Sequence, residues 1–195
     1  ELNAVSLTKV QAEADATNQY PLPDLRTPVE ISMNSTNPGT ILDVMLGVRI
    51  NHTWPADLTM TLIHPDGTEV TLTDHNGNGS HRDGTEVWGE GSRSCNGDLA
   101  YFSQTATQSI IDRSKPFTGF SRPVDNLNIL EGKDAAGDWT LRIVDGWAQD
   151  DGELFCAQLL LATSNPDTTE IIDSQTSMND ETAIWNLPDL SLIHI

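Results

Sequence analysis

The sequence predicts an all-β fold, an antiparallel jelly-roll-like β-sandwich, and three observations support this prediction. Apolar and polar residues alternate with a period of two in several segments, the first of which begins at Val44. Glycine, aspartate and proline stand between these segments as turn signals. Helical periodicity is scarce, and its best candidate, residues 7–16, is short. Many short strands joined by such turns are typical of antiparallel sandwiches.

The predicted strands follow one another along the chain. The first two present on one face Val44, Leu46, Val48 and Ile50, and then, after a Trp54-Pro55-Ala56 break, Leu58, Met60 and Leu62. The further strand candidates span residues 69–72, 127–130, 139–144 and 154–161. The turns between them are marked by Pro65-Asp66-Gly67, Ala136-Gly137-Asp138 and Asp151-Gly152. Residues 74–97 are polar and glycine-rich, which predicts a long surface loop.

The length of 195 residues fits one core with tails. We expect an N-terminal extension over residues 1–19, the sandwich over 20–162, an acidic linker over 163–184, and in residues 185–195 the start of a second repeat or a terminal strand. The last expectation rests on the run YPLPDL at 20–25, which returns as WNLPDL at 185–190. A chance match, or two terminal strands of one sheet, would give the same pattern.

The charge balance excludes some partners. The chain has 10 Lys+Arg against 29 Asp+Glu, a formal net charge of -19, so nucleic acid and anionic membranes would be repelled. No stretch approaches the roughly 20 apolar residues of a membrane span. No charged and then apolar leader opens the chain at Glu1, which suggests a mature or excised piece. The excess of carboxylates suits hard cations such as calcium, and equally a solvated surface.

Neither cysteine nor serine chemistry indicates an enzyme. The two cysteines, Cys95 and Cys156, permit one disulfide or two thiols, and a disulfide would imply export. No Gly-x-Ser-x-Gly run occurs, and Ser80 beside His81 has no supporting motif. Pairs of acids are too abundant to indicate glycoside hydrolysis. We therefore expect a non-catalytic chain.

Two blocks of sequence carry a family resemblance. Residues 48–68, VRINHTWPADLTMTLIHPDGT, match V-x-I-x-H-T-x-x-x-D-L-x-x-x-L-x-x-P-x-G-T, and residues 137–154 contain G-x-W-x-L and D-x-G-x-L elements separated by an aspartate. Both blocks resemble the P domain of subtilisin-like proteases of the proprotein convertase type. The motif positions are His52, Thr53, Asp57, Leu58, Pro65, Gly67, Gly137, Trp139, Asp145 and Gly152.

The resemblance implies a non-catalytic module, secreted or at the cell surface. Such a module lies C-terminal to a subtilisin-like catalytic domain in the same polypeptide and stabilises it or assists its folding. The resemblance also implies a disulfide between Cys95 and Cys156, because exported relatives hold a cysteine in the last strand and another in the preceding long loop. We expect Trp139 to anchor the core and His52 to be a hydrogen-bonded structural histidine rather than a base.

Calcium is the predicted cofactor, at either of two places. Asp74, Asn76 and Asn78 alternate before a glycine, as in the first half of a D-x-N-x-N-G calcium loop, although the twelfth position is Thr85 rather than an acid. A flexible loop would look the same. The second set is Asp145, Asp150 and Asp151, which we expect Asp57 to approach in the family fold.

A carbohydrate-binding or surface-binding module is the alternative function. Trp54, Trp88 and Trp147 fall in or near predicted loops, and jelly rolls host such sites. Exposed, coplanar indoles would favour a polymeric or cell-surface ligand, whereas buried indoles would favour packing.

Overall fold

A computed structural model of the chain describes residues 5–15, 19–23, 26–75, 87–113, 117–148 and 152–164. Over these residues the fold is an all-β sandwich of two sheets, which confirms the predicted fold class. Eleven strands and no α-helix are present in the described part. The strands are β1 Val5–Glu13, β2 Tyr20–Leu22, β3 Val29–Ser35, β4 Thr40–His52, β5 Leu58–Ile63, β6 Glu69–Asp74, β7 Val87–Trp88, β8 Ala100–Ser103, β9 Gly119–Ser121, β10 Gly137–Asp145 and β11 Gly152–Ser164. Three short 3-10 helices span Pro55–Asp57, Ile110–Asp112 and Leu127–Leu130.

The two sheets differ in size. The larger sheet has the order β1-β11-β4-β8-β9, with β2 paired to β11 and β7 paired to β4. The smaller sheet has the order β3-β10-β5-β6. Strands β8 and β9 run parallel, and the other strand pairs described run antiparallel. Strand β11, the last in the described chain, therefore lies between β1 and β4 along almost its whole length.

The core fills the space between the sheets, as the alternation predicts. The apolar face of β4 (Val44, Leu46, Val48, Ile50) and that of β5 (Leu58, Met60, Leu62) are buried in one cluster. Burial of each such side chain contributes roughly 1.5–3 kcal/mol to the free energy of unfolding. The predicted strands at 44–50, 58–62, 69–72, 139–144 and 154–161 all lie inside observed strands.

The strand predicted at 127–130 is wrong, because this segment is a 3-10 helix. The side chain of Asn126 accepts a hydrogen bond from the backbone N–H of Asn128 at 2.9 Å and so caps the first turn. Leu127 and Leu130 are both buried, as expected for residues three apart in a turn of three residues. A four-residue segment with a leucine at each end fits a short strand or one turn of 3-10 helix. The Asn126 cap favours the helical turn.

The helix candidate at 7–16 is also wrong, because residues 5–13 form strand β1. This strand pairs with β11 from Val5 opposite Ser164 to Glu13 opposite Cys156. Residues 5–13, expected in an N-terminal extension, are thus part of the larger sheet. Residues 163 and 164, expected in the linker, end β11. Isolated helices of this length are marginal in water, whereas pairing with β11 satisfies the backbone groups on one edge of residues 5–13.

The repeat and linker predictions fall mostly outside the described residues. The first run, 20–25, begins with strand β2, which pairs with β11 and buries Leu22. Residues 165–195, which contain the second run, are not among those described, so the second repeat stays a prediction. No helix in the described ranges is long and apolar enough to cross a membrane.

Candidate functional site

The motif residues of the first sequence block meet those of the second at one end of the sandwich. His52 ends β4, Asp57 closes the first 3-10 helix, and Asp145 ends β10. The backbone N–H of Gly146 donates to the carbonyl of Asp57 at 2.9 Å, which joins the two loops. The name His52 corner is used below for His52, Trp54, Asp57, Asp145 and Trp147.

A buried histidine and aspartate form the centre of this corner. Nε2 of His52 lies 3.2 Å from Oδ2 of Asp145, and both side chains are fully buried. Nδ1 of His52 accepts the backbone N–H of Trp54 at 3.0 Å, so the ring proton is on Nε2 and is donated to the carboxylate. Oδ1 of Asp145 accepts the N–H of Trp147 at 3.1 Å. The pair therefore joins the larger sheet, through β4, to the smaller sheet, through β10.

Two glycines of the motif are needed for close approach. A Cβ at Gly152 would lie 2.3 Å from Cδ2 of His52 and 2.7 Å from the carbonyl oxygen of Asn51. A Cβ at Gly137, where φ is +121°, would lie 2.8 Å from Cβ of Pro65. Any larger residue would push a strand or a turn away, so these positions hold glycine for packing reasons.

A second buried histidine repeats this arrangement at the opposite end of β5. Nδ1 of His64 accepts the backbone N–H of Asp66 at 3.1 Å, and Nε2 donates to the carbonyl of Asp134 at 2.9 Å. The His64 ring meets Trp139 edge-on with 4.7 Å between centroids. Trp139 is buried in the core, and its indole N–H donates to the carbonyl of Ala135 at 3.0 Å. A histidine thus stabilises the chain at each end of β10.

The turn between β5 and β6 is held by its aspartate. Hydrogen bonds from Lys133, at 2.6 Å, and from Thr68 hold the pKa of the Asp66 carboxyl well below its usual range. Gly67 follows with φ of +89°, a backbone conformation that other residues rarely adopt. Asp66 and the motif residue Gly67 therefore shape the turn.

The residues predicted as calcium ligands are only partly described. Asp57, Asp74 and Asp145 lie at this end of the sandwich, whereas Asn76, Asn78, Asp150 and Asp151 lie outside the described residues. Hydrogen bonds from His75 and then Thr59 lower the pKa of Asp74. Both carboxylate oxygens of Asp145 accept protein hydrogens. Within the described ranges no three His, Cys, Asp or Glu side chains are placed to hold a metal ion. The described residues do not by themselves form a calcium site, and calcium stays a prediction for the complete loops.

The predicted disulfide between Cys95 and Cys156 is confirmed. It joins the loop after β7 to the outer face of β11 across a sequence separation of 61 residues. By chain entropy, a closed loop of this length raises the free energy of unfolding by roughly 4 kcal/mol.

The three tryptophans expected near loops do not share one environment. Trp88 is buried and stacks on Phe117 with 4.1 Å between centroids. It is therefore a packing residue and not part of a binding surface. Trp54 is partly buried, and Trp147 is 62% exposed. The described residues present no coplanar set of three exposed indoles.

Sequence analysis missed a cationic cluster beside the disulfide. Arg49 takes an outward-facing position of β4, between the inward Val48 and Ile50, and its guanidinium lies over the ring of Phe155 together with that of Arg93. Alternation predicts a surface position for Arg49, so the sequence gives no sign that it is buried beside Phe155.

The fold and the His52 corner define a β-sandwich module whose motif residues hold two sheets together. The family model for the proprotein convertase P-domain matches residues 41–101, a range that includes β4, β5 and the turn after β5. The resemblance found in the sequence is therefore confirmed over these residues. No curated protein matches the chain by sequence.

Solved structures show the same fold. The chain is similar to the crystal structure of the Aeromonas sobria serine protease in complex with the chaperone ORF2, with 15% identity and a TM-score of 0.53 over 84% of this chain and 28% of that chain. It is also similar to the crystal structure of the Aeromonas sobria serine protease, with 15% identity and a TM-score of 0.50 over 83% of this chain and 28% of that chain. The chain thus spans little more than a quarter of the length of these proteins, and the likeness shows the fold alone.

The buried pair predicts a large effect of His52→Ala on stability. Removal of the imidazole leaves the buried Asp145 carboxylate without one of its donors, which we expect to lower the free energy of unfolding by about 3 kcal/mol or more. Urea unfolding at pH 7 measures this loss. His75→Ala is the matched control, because the His75 side chain is 46% exposed and should cost less than about 1 kcal/mol. Equal losses in the two variants would contradict the role of the pair.

Calcium binding predicts a rise in the thermal midpoint. At about a hundredfold excess of calcium over its Kd, we expect a rise of roughly 5 °C relative to chelator, because an ion that binds only the folded chain stabilises it. Asp74→Ala and Asp150→Ala, each measured alone, show which loop holds the ion, and the exposed Asp112→Ala is the control. An unchanged midpoint in calcium would refute the prediction.

Proposed function

We propose that the chain is a non-catalytic accessory module of a secreted subtilisin-like protease, or of another large exported protein. In this proposal it stabilises its partner domain or assists the folding of that domain. The observation that carries the proposal is the match of the P-domain family to residues 41–101. This stretch contains both buried histidines and the first disulfide cysteine, so the matched residues are those that hold the module together.

The chemistry of the motif residues supports a structural role. Both ring nitrogens of His52 are engaged, one by the N–H of Trp54 and one by Asp145, so His52 has no nitrogen left to accept a substrate proton. His64 is occupied in the same way by Asp66 and the carbonyl of Asp134. Neither histidine can act as a general base without giving up one of these hydrogen bonds.

Export is supported by the disulfide and by the charge. Disulfides persist in oxidising compartments, and the Cys95–Cys156 bond joins the last described strand to a loop. A net charge of -19 keeps a protein soluble outside the cell and repels nucleic acid.

The proposal predicts that the module is needed to obtain active parent protease. An antibody raised against the purified chain should capture from culture fluid a larger polypeptide that reacts with a fluorophosphonate probe for active-site serines. The purified 195-residue chain should not react. Expression of that polypeptide without residues 20–162 should lower the yield of active protease at least tenfold, because the catalytic domain loses a stabilising neighbour.

Two outcomes would contradict this proposal. Capture of a polypeptide that does not react with the probe and has no protease domain would exclude a protease as the parent and leave another large exported protein. The other outcome is an undiminished yield of active protease from the shortened polypeptide. His75→Ala in the complete polypeptide serves as a control for effects of handling and expression.

Surface binding is the second candidate function, and one observation favours it. The backbone N–H groups of Trp54 and Trp147 bind the two ends of the His52–Asp145 pair, which places both residues at the same corner. The Trp147 side chain is 62% exposed, although large aromatic side chains normally bury most of their surface. An indole held at a rigid corner can stack on a sugar ring or a polymer surface.

Trp147→Ala tests this second function. If the corner binds an insoluble polysaccharide or a cell surface, we expect the fraction of chain bound in a sedimentation assay to fall at least tenfold in this variant. Ile129→Ala removes a comparably exposed apolar side chain from another part of the surface and should leave binding unchanged. Failure of the wild-type chain to bind any of the polymers or cells tested, or equal binding by Trp147→Ala, would refute the hypothesis.

A further inference from the structure

Two arginines share one aromatic ring on the outer face of the larger sheet. The register of β11 against β4 shifts between Leu154 and Cys156, so Phe155 is the extra residue of a β-bulge. Its ring is not part of the core cluster between the sheets. The guanidinium carbons of Arg49 and Arg93 lie 5.7 and 5.3 Å from the ring centroid, a distance suited to cation–π contact.

Arg49 is buried with part of its hydrogen-bonding capacity unused. Only 6% of the residue is exposed. Nη1 donates to the carbonyl of Ile50 at 3.2 Å, and Nη2 reaches the carbonyl of Gly91 at 3.5 Å. The Nε–H has no hydrogen-bond partner among the described residues. Burial first, and then the charge of Arg93, lower the pKa of Arg49, and the charge of Glu90 offsets only part of this effect.

The two cations also lack a close anion within the described part of the chain. Neither Arg49 nor Arg93 forms an ion pair within 4.0 Å there, whereas Arg142 pairs with both Glu30 and Glu69. Glu90 acts on Arg49 only through longer-range attraction, so the two neighbouring arginines lie without a carboxylate in direct contact in the described part of a chain with 29 acidic and 10 basic residues. A bound anion would relieve the repulsion between them.

We propose that Arg49 and Arg93 form a binding site for a carboxylate, presented by an acidic side chain of a partner polypeptide. The planar guanidinium matches the two oxygens of a carboxylate, so one such group can accept the Nε–H of Arg49 and a hydrogen bond from Arg93. Arg93 is exposed and Arg49 is buried, so a carboxylate would approach from the Arg93 side and reach the buried Nε–H of Arg49 when the Arg93 side chain turns toward it. The strongly negative protein disfavours a doubly charged phosphate more than a singly charged carboxylate.

This binding site is an additional property beyond the proposed function. It is tested on the chain alone, so the result does not depend on the parent protein. The probes are two capped peptides, acetyl-Gly-Glu-Gly-amide and acetyl-Gly-Gln-Gly-amide, added to the full 195-residue chain at constant ionic strength. At about tenfold excess over its Kd, the glutamate peptide should raise the thermal midpoint by roughly 3–5 °C. The glutamine peptide should leave the midpoint unchanged, because an amide lacks the negative charge.

Three variants assign the effect to this site. Arg93→Gln removes an exposed side chain, so the fold is retained, and it should weaken binding of the glutamate peptide at least tenfold. Arg49→Lys keeps a positive charge but removes the Nε–H, and it should also weaken binding. Arg142→Gln makes the same charge change on the smaller sheet and should bind like the wild type.

Four results would overturn the proposal. The first is no shift with the glutamate peptide, and the second is an equal shift with the glutamine peptide or in Arg93→Gln. The third is a larger shift with inorganic phosphate than with the glutamate peptide at equal ionic strength, which would assign the site to a different anion. Acetate in place of the peptide separates binding of the carboxylate alone from binding of the peptide; a shift of equal size with acetate would overturn the assignment to a partner polypeptide.

Discussion

The arrangement of the two sheets depends on one buried polar contact, the hydrogen bond between His52 and Asp145. A buried carboxylate is costly unless it has donors, and the donors to Asp145 include the imidazole of His52 and the backbone N–H of Trp147. These donors come from different parts of the chain, so the carboxylate is satisfied only when β4, β10 and the loop after β10 are in place together. Apolar packing between sheets is tolerant of small shifts, whereas this contact permits one arrangement. It therefore sets the position of the corner from which Trp54 and Trp147 project.

His64 extends the same principle to the other end of the module. It uses the same tautomer as His52 and the same local contact, a ring nitrogen that accepts the N–H two residues later. Each histidine then reaches a segment that flanks β10, at Asp145 on one side and Asp134 on the other. Strand β10 is thus fixed at both ends as well as by its neighbours β3 and β5. The neutral imidazole, with one acceptor and one donor, suits this role because it connects a local turn to a distant segment.

The sequence predicted the parts of the fold in which the pattern is local. Strands β4, β5, β10 and β11 alternate clearly, and their turns contain glycine or aspartate at positions that need them. Prediction from the sequence failed where pairing with a strand distant in the chain determines the structure. Residues 7–16 have no strong preference of their own, and only β11 makes residues 5–13 a strand. Strands β3 and β8 were also missed, although β3 alternates between buried and exposed residues.

The site was predictable to a similar extent. The family resemblance gave the disulfide and the importance of His52, Asp57 and Asp145. The hydrogen-bond partners of these side chains could not be predicted from the sequence, because the contacts join strands of different sheets. The burial of Trp88 was missed because its cover comes from Phe117, in a loop remote in sequence. Alternation places Arg49 on the outward face of β4. The contact of Arg49 and Arg93 with one aromatic ring depends on a bulge at Phe155 that no local sequence signal marks.

The position of β11 in the larger sheet has a consequence for how the module is made in the cell. This strand is synthesised after the other ten described strands, yet β1, β2 and β4 all pair with it, and the disulfide also ends on it. While the chain emerges from the ribosome, β1 has no strand partner and one edge of β4 is unpaired. The larger sheet must therefore assemble after synthesis, with contacts between distant parts of the chain, which is a slow route. A chain of this kind exposes strand edges for longer than one that folds from its N-terminus, and exposed edges are places where wrong pairing and aggregation begin.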